Sequence, residues 1–264
     1  MIISSKKNFA FIHIPKNAGS NIRNQIKACD DYDGDFNQIL SHPVLGKTHT
    51  AHLTLNELKQ CYPEAYESMV NLESIAILRD PFERFTSALN QRLREFSGLS
   101  QSQINQQILE SEAQRVLSLI DGSLSDDLPL EFVHFRKQKD FIIDPGGNQI
   151  IKHLFDFKNL KDLVDWFEDN TGISIDLEAE SSKYNATLDI KSSRLKFVVN
   201  QLKPIANLLP IYLKDKIRDF LLFIGVYGRT SANTTQSLMS NEKIRIQIEK
   251  YYAEDIELYR RQLD

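Results

Sequence analysis

The sequence has little cysteine and no long apolar run, which limits the setting in which the protein works. Its two cysteines, Cys29 and Cys61, provide no disulfide framework in 264 residues, so a reduced compartment is expected. The most apolar candidate for a membrane segment, Pro204–Leu213, is interrupted by prolines and shorter than the roughly 18 residues that a span requires. The residues before the first apolar run leave no room for a signal peptide. We therefore expect a soluble, cytoplasmic chain without a transmembrane segment.

Excess positive charge is also missing. Lysine and arginine number 32 against 36 aspartates and glutamates, which gives a formal net charge of −4. Such a chain has no general attraction for nucleic acid or for an anionic membrane, so any contacts to a polyanionic ligand must be local. The length suits a single domain over residues 1–264 with a full hydrophobic core.

The first apolar run leads into a turn of the kind that binds anions. Residues Phe9–Ile14 predict a short buried strand that Pro15 ends. A turn of small residues, Lys16–Asn21, then leads into a helix that Ser20 or Asn21 can cap. Backbone N–H groups at a helix N-terminus bind phosphate-like anions, and a lysine beside them adds a mobile cation. The common phosphate-loop pattern GxxxxGK[ST] is absent, because the lysine here precedes the glycine.

A second strand, turn and helix follow with charge at the turn. Ser74–Leu78 predicts a strand, Arg79 stands at its end, and an amphipathic helix runs from Phe82 to Phe96 with Ser87 on it. Arginine suits a terminal phosphate because its fork binds two oxygens at once. Two such units in succession predict a parallel α/β sheet with ligand at the carboxyl ends of the strands.

Both motifs resemble those of the sulfotransferases. IHIPKNAGSN is similar to the 5′-phosphosulfate loop of the carbohydrate-modifying branch, with its HIPKTAGTS-like string, and ILRDPFERFTSAL resembles the RDPxxRxxSxY-like 3′-phosphate motif. Asn17 and Asn21 replace the hydroxyl residues of the commonest form, and Leu89 replaces an aromatic residue. The resemblance implies 3′-phosphoadenosine 5′-phosphosulfate (PAPS) as donor and a carbohydrate or glycoconjugate as acceptor, without metal. The implied donor-binding residues are Lys16, Asn17, Ala18, Gly19, Ser20, Asn21, Arg79 and Ser87.

A histidine-rich segment supplies the candidate base. Aligning HLTLNEL to the family's TAxEL-like helix puts His52 at the position of the catalytic base, with His49 as the alternative. The resemblance gives Lys16 a catalytic role as well, because it stabilises charge on the leaving phosphate oxygen. These histidines match no zinc pattern and, taken alone, also fit surface or half-buried loop positions.

The resemblance implies a three-layer sheet flanked by helices, related to the phosphate-loop NTPase fold, with extra helices. Residues 191–228 lie outside the family pattern and predict a helical insertion. A buried helical pair is the simplest interpretation, and the wall of an acceptor cleft, a homodimer contact or a membrane-surface contact are the alternatives. Since the family's Golgi members are membrane-anchored, we expect a soluble, bacterial relative or a trimmed form of an anchored one.

Two other classes of function fit the same features. One is a nucleotide-dependent phosphotransferase, in which Asp80 would serve a magnesium ion. The other is a noncatalytic nucleotide- or anion-binding protein on a degenerate sulfotransferase fold, in which His52 would have no role in transfer. The pairing of Arg79 with Ser87 and the missing GK[ST] favour the sulfotransferase.

Overall fold

A four-stranded sheet forms the centre of the molecule. The structure is a computed structural model that describes residues 1–99, 103–177, 188–190, 227–229 and 233–263. The strands are β1 (Ile2–Ser4), β2 (Phe9–Ile12), β3 (Ile39–His42), β4 (Gly46–His49), β5 (Glu73–Leu78), β6 (His153–Asp156), β7 (Leu188–Ile190) and β8 (Tyr227–Arg229). The central sheet has the order β1-β2-β5-β6, while β3 pairs with β4 and β7 pairs with β8, both antiparallel.

The sheet is parallel where the two predicted anion loops leave it. Strand β2 runs parallel to β5, with Ile12 opposite Ala76, and β5 runs parallel to β6, with Ala76 opposite Leu154. Only β1 is antiparallel to its neighbour in this sheet. The loops after β2 and β5 therefore emerge side by side at one edge, which is where ligands bind in open α/β sheets.

Helices cover both faces of the sheet. The helices are α1 (Gly19–Ile26), α2 (Leu55–Cys61), α3 (Pro63–Asn71), α4 (Pro81–Glu95), α5 (Gln106–Ile120), α6 (Leu160–Thr171), α7 (Asn233–Met239), α8 (Glu242–Tyr251) and α9 (Ala253–Leu263). Successive strand residues point to opposite faces. Phe9 and Phe11 accordingly join a core cluster with residues of α1 and α6, whereas Ala10 and Ile12 join one with residues of α2, α3 and α9. A third cluster is formed by residues of α4, α5, α7 and α8. The predicted fold class, a three-layer α/β sheet flanked by helices, is confirmed.

The C-terminal helical segment is broken at Tyr252. It forms α8 and α9, because Tyr252 leaves helical geometry with φ −100° and ψ 23°. The buried Tyr252 hydroxyl donates to Phe135 O at 2.7 Å, which fixes the bend. The bend directs α9 back across the sheet, where Asp255 receives the backbone N–H groups of Gln138 and Lys139.

The helical insertion predicted at residues 191–228 lies outside the described residues, except for Tyr227 and Gly228 in β8. Within the described ranges, no helix is long and apolar enough to cross a bilayer.

Candidate active site

The loop after β2 has the backbone of an anion site. Lys16 and Ala18 both take left-handed conformations, with φ 70° and φ 60°, and Gly19 then begins α1. Left-handed conformations are costly for residues other than glycine and concentrate at functional sites. Such a turn before a helix directs backbone N–H groups into one concavity. Ser20 and Asn21 do not cap α1 as expected, because Ala18 is the cap residue and it makes no side-chain cap hydrogen bond.

The ring of His13 leaves no room for a side chain at position 19, which is glycine. A Cβ atom at this position would lie 2.3 Å from Cδ2 and 2.9 Å from Nε2 of His13. The absence of a side chain therefore lets the buried imidazole of His13 pack directly against the start of α1. A contact within the protein thus favours glycine at this position.

Asn17 joins the two loops rather than lining the space between them. Its side chain is 1% exposed, and its Nδ2 donates to Ile77 O at 2.6 Å and to Gln138 Oε1 at 2.7 Å. Gln138 in turn accepts from Arg79 N at 3.1 Å through Oε1 and donates to Arg79 O at 2.8 Å through Nε2. The Asn17 side chain thus braces the two loops, and its contact with the donor stays a prediction.

The second loop presents Arg79 at the end of β5. Its guanidinium donates to Lys16 O at 3.1 Å and lies 4.3 Å above the Phe157 ring. Nε is buried and makes no hydrogen bond among the described residues, although Glu83 Oε2 is 3.5 Å away. An arginine held by a carbonyl and a ring, with hydrogen-bonding capacity left over, is suited to receive an anion.

Asp80 and Arg84 have structural roles. The Asp80 carboxylate accepts the N–H groups of Phe82 and Glu83, both at 3.0 Å, and so caps α4. Arg84 is fully buried and donates to the backbone carbonyls of His134 and Arg136 rather than pairing with Asp80. The Arg84 contacts link the start of α4 to residues 134–136.

Both loops open onto one cleft of about 950 Å³. The candidate residues that line it are Lys16, Ala18, Gly19, Ser20, Asn21, His49, His52, Arg79 and Ser87. Lys16 Nζ donates to Gln91 Oε1 at 2.6 Å, and Arg23 and Arg94 bring further positive charge to the wall. Burial lowers the pKa of Lys16 to about 8, and the charges of Arg94 and Arg79 add to this effect. An anion in the cleft would relieve that repulsion.

His52 lies at the centre of four histidine rings. The ring centroids of His13, His49 and His134 lie 4.9, 4.7 and 5.4 Å from that of His52. Burial lowers the pKa of His52 well below its usual value, and the neighbouring histidines lower it further. Burial likewise lowers the pKa of His134, to about 3. The imidazole of His52 is therefore neutral at physiological pH, as a proton acceptor must be.

Hydrogen-bond partners distinguish His52 from His49. Nδ1 of His52 lies 3.5 Å from His13 O, a group that only accepts, so this contact favours the tautomer with the proton on Nδ1 and the lone pair on Nε2. Nδ1 of His49 instead accepts from Ala51 N at 3.2 Å, which leaves its proton on Nε2. His52 thus has the tautomer of a base, and His49 has that of a donor.

A buried ion pair holds the backbone of His52. Arg136 donates to His52 O at 2.8 Å and to the two Glu57 oxygens at 2.6 and 2.7 Å. Glu57 also completes a capping box with Thr54 at the start of α2. Breaking a buried pair leaves an uncompensated charge, so this arrangement fixes the loop of His52 firmly.

Several residues of the cleft were not identified from the sequence. Gln91 follows Ser87 by one helical turn, so helical spacing could have placed both on one face. His13 and His134 come from segments distant in sequence, and their meeting follows from the fold alone. Among the described residues, no group of three or more His, Cys, Asp or Glu is arranged to hold a metal ion.

Two cationic loops at the carboxyl edge of a parallel sheet, with a neutral histidine beside them, define a class of α/β protein that binds an anionic group for transfer to an acceptor. A family model described as the sulfotransferase family matches residues 1–260. The chain belongs to that family, so the expected family is confirmed, and sulfuryl transfer is its general activity. Comparisons with curated proteins and with solved structures gave no match.

Proposed function

We propose that the protein transfers a sulfuryl group from PAPS to a hydroxyl of a carbohydrate or glycoconjugate. The supporting observation is that Lys16 and Arg79, at the ends of neighbouring parallel strands, line one cleft. PAPS has a charged group at each end of adenosine and supplies an activated sulfuryl group. A protein that holds it needs two cationic sites at a fixed separation, and the bonds between Asn17, Gln138 and Arg79 provide that fixed geometry.

At the sulfuryl end, Lys16 and the backbone from Ala18 to Asn21 would hold the charged oxygens. Lys16 would stabilise the charge that develops on the leaving phosphate oxygen, a contribution often worth about 10²–10³ in rate for one donor. Arg79 and Ser87 would hold the 3′-phosphate at the other end. Both residues line the cleft, and Ser87 lies on α4 one turn before the partner of Lys16, Gln91.

His52 would take the proton of the acceptor hydroxyl on Nε2. The carbonyl of His13 holds the opposite nitrogen in its protonated form, and Arg136 fixes the loop. General-base catalysis of this kind contributes about 10²–10⁴ in rate. His49 would orient the acceptor by donating from Nε2. Oδ1 of Asp80 caps α4, and this structural role does not favour the magnesium-dependent alternative.

The experiment compares donor binding and transfer in matched variants. The product nucleotide 3′-phosphoadenosine 5′-phosphate (PAP) should raise the melting temperature far more than ATP or ADP does. Arg79→Ala should weaken PAP binding about 10- to 100-fold, since a hydrogen-bonded charge contributes about 1.5–3 kcal/mol, and should leave adenosine 5′-phosphate binding unchanged. The exposed Arg245→Ala on α8 is the control.

His52→Gln should lower kcat about 10²–10⁴-fold with PAP affinity unchanged, and His49→Gln should cost less. If His52→Gln leaves sulfate transfer from labelled PAPS unchanged, the assigned base is wrong. If PAP stabilises no more than ATP, the donor assignment is wrong.

A further inference from the structure

A second cavity adjoins the cleft. It has a volume of about 900 Å³ and shares the lining residues Phe96 and Leu130 with the cleft. Its lining comes from the β3–β4 turn, from α2 and from residues 124–131. We call this second cavity the groove. None of the residues assigned above to donor binding or proton transfer lines it.

The groove collects exposed apolar side chains. Val44 is 73% exposed, Leu124 71% and Phe96 54%, and all three line it. Ile39, also exposed, lines the adjoining cleft. Among the described residues only Leu119 and Ile246 are further large hydrophobic side chains with comparable exposure. Apolar side chains concentrated around one concavity mark a binding surface, since isolated ones scatter over a protein.

The charge of the groove is opposite to that of the cleft. Asp126, Asp127 and Glu131 line it, against one basic residue, Lys47, in the described part of its wall. Asp126 accepts from Thr54 Oγ1 and from an asparagine amide, both neutral donors, so its charge is not compensated by these bonds. The negative charge of Glu131 is compensated by an ion pair with an arginine on α4. Asp127 is exposed to solvent. An acceptor with sulfate or carboxylate groups would be repelled here.

We propose that the groove binds the apolar part of an uncharged, amphipathic glycoside whose sugar hydroxyl reaches His52 in the cleft. This proposal rests on the proposed function. Val44, Phe96 and Leu124 would cover an alkyl or aryl chain and exclude water from it, and this burial of apolar surface would favour binding. The carboxylates of Asp126 and Asp127 would reject anionic polysaccharides and anionic glycosides. The acceptor class is therefore a neutral glycolipid or glycoside with an apolar aglycone.

The experiment measures acceptor binding to the full chain saturated with PAP. The probes are n-octyl β-D-glucopyranoside, methyl β-D-glucopyranoside and n-octyl β-D-glucuronide, all below their micellar concentrations, with binding followed by calorimetry. The octyl glucoside should bind at least tenfold more tightly than the methyl glucoside and than the octyl glucuronide. Leu124→Ser and Val44→Ser should each reduce the preference for the octyl chain. Leu119→Ser, at an exposed leucine outside the groove, should leave it unchanged.

Charge is tested separately with Asp127→Lys, which should reduce the discrimination against the glucuronide. Equal binding of octyl and methyl glucosides would overturn the inference, as would undetectable binding of the octyl glucoside. The inference would also be overturned if Leu119→Ser reduced the preference for the octyl chain as much as Leu124→Ser does. A PAP titration precedes these measurements and separates the two proposals. Failure to bind PAP overturns the donor assignment, whereas PAP binding without any preference for the octyl chain overturns the groove alone.

Discussion

Gln138 Oε1 accepts a hydrogen bond from Asn17 Nδ2 at 2.7 Å, and this bond connects the two anion loops of the molecule. The same oxygen accepts from Arg79 N, and the amide nitrogen of Gln138 donates to Arg79 O. Gln138 has no exposed surface, so water cannot replace these bonds. Asn17 also bonds directly to Ile77 O, and Arg79 bonds to Lys16 O. Gln138 reinforces these links and helps to fix the separation of two sites that would each hold one end of the donor.

Removing this link should weaken ligands that engage both loops more than ligands that engage one. Gln138→Ala should lower PAP affinity about tenfold or more, because a lost buried hydrogen bond costs about 1–3 kcal/mol and the loops lose their common geometry. Adenosine 5′-phosphate and adenosine 3′-phosphate should each bind nearly as they do to the wild type. Calorimetric titration with the three nucleotides measures the difference.

Two further variants make that test specific. Gln138→Glu keeps the acceptor oxygens but loses the donor to Arg79 O, so its effect should be intermediate. Gln106→Ala, at an exposed glutamine on α5, is the control for the loss of an amide. An equal loss of affinity for all three nucleotides would show that Gln138 maintains folding only.

The protonation of Lys16 should make PAP binding depend on pH. The pKa of Lys16 is lowered to about 8, so the side chain is charged below that pH and loses its proton above it. Binding of an anion favours the charged form, so PAP affinity should fall as pH rises above about 8, by at most tenfold per pH unit for one linked proton. The side chain of Lys16→Arg stays charged, so its affinity should not show this fall. Parallel pH profiles of the two proteins would contradict the assignment.

The contact between Gly19 and His13 should appear as a coupling in stability. Gly19→Ala places a Cβ where the His13 ring lies, and forcing atoms into a packed site costs about 1–3 kcal/mol. The free energy of unfolding, measured with urea, should therefore fall by that amount. In a His13→Ala background the same substitution should cost much less, because the opposing ring is gone. Equal costs in both backgrounds would mean that the backbone, and not His13, requires glycine.

The neutral histidines should make the protein sensitive to acid. His134 has an ordinary pKa near 6.5 when unfolded and about 3 when folded, so between these values the unfolded chain binds a proton that the native protein does not. The free energy of unfolding therefore falls as pH decreases from 6.5 toward 3, by about 2 kcal/mol at pH 5 for this group. His134→Gln should lose less stability than the wild type between pH 7 and pH 5. Identical losses in urea titrations would refute the assignment.

Local patterns were enough to predict the elements that carry the site. The apolar runs of β2 and β5 and the spacing in α4 predicted two strands and a helix close to their observed bounds, because each pattern depends on neighbours along the chain. The short helix α2 also has a local start signal, since Thr54 and Glu57 form a capping box there. The strand β1 and the β3–β4 hairpin were missed, because β1 is only three residues long and the hairpin strands carry exposed polar residues.

The sequence by itself determined the two anion-loop motifs, the α/β class and the candidacy of His52, since each depends on residues close together in the chain. Only the tertiary structure showed that the Asn17 side chain braces the loops. It also showed that Gln138 bonds to both loops, at positions 121 and 59 residues away from it in sequence. It also supplied the carbonyl of His13 that assigns the proton of His52, and the groove beyond Phe96. Such contacts depend on which strands become neighbours and on which helices pack over them, and no local pattern in this chain encodes that pairing.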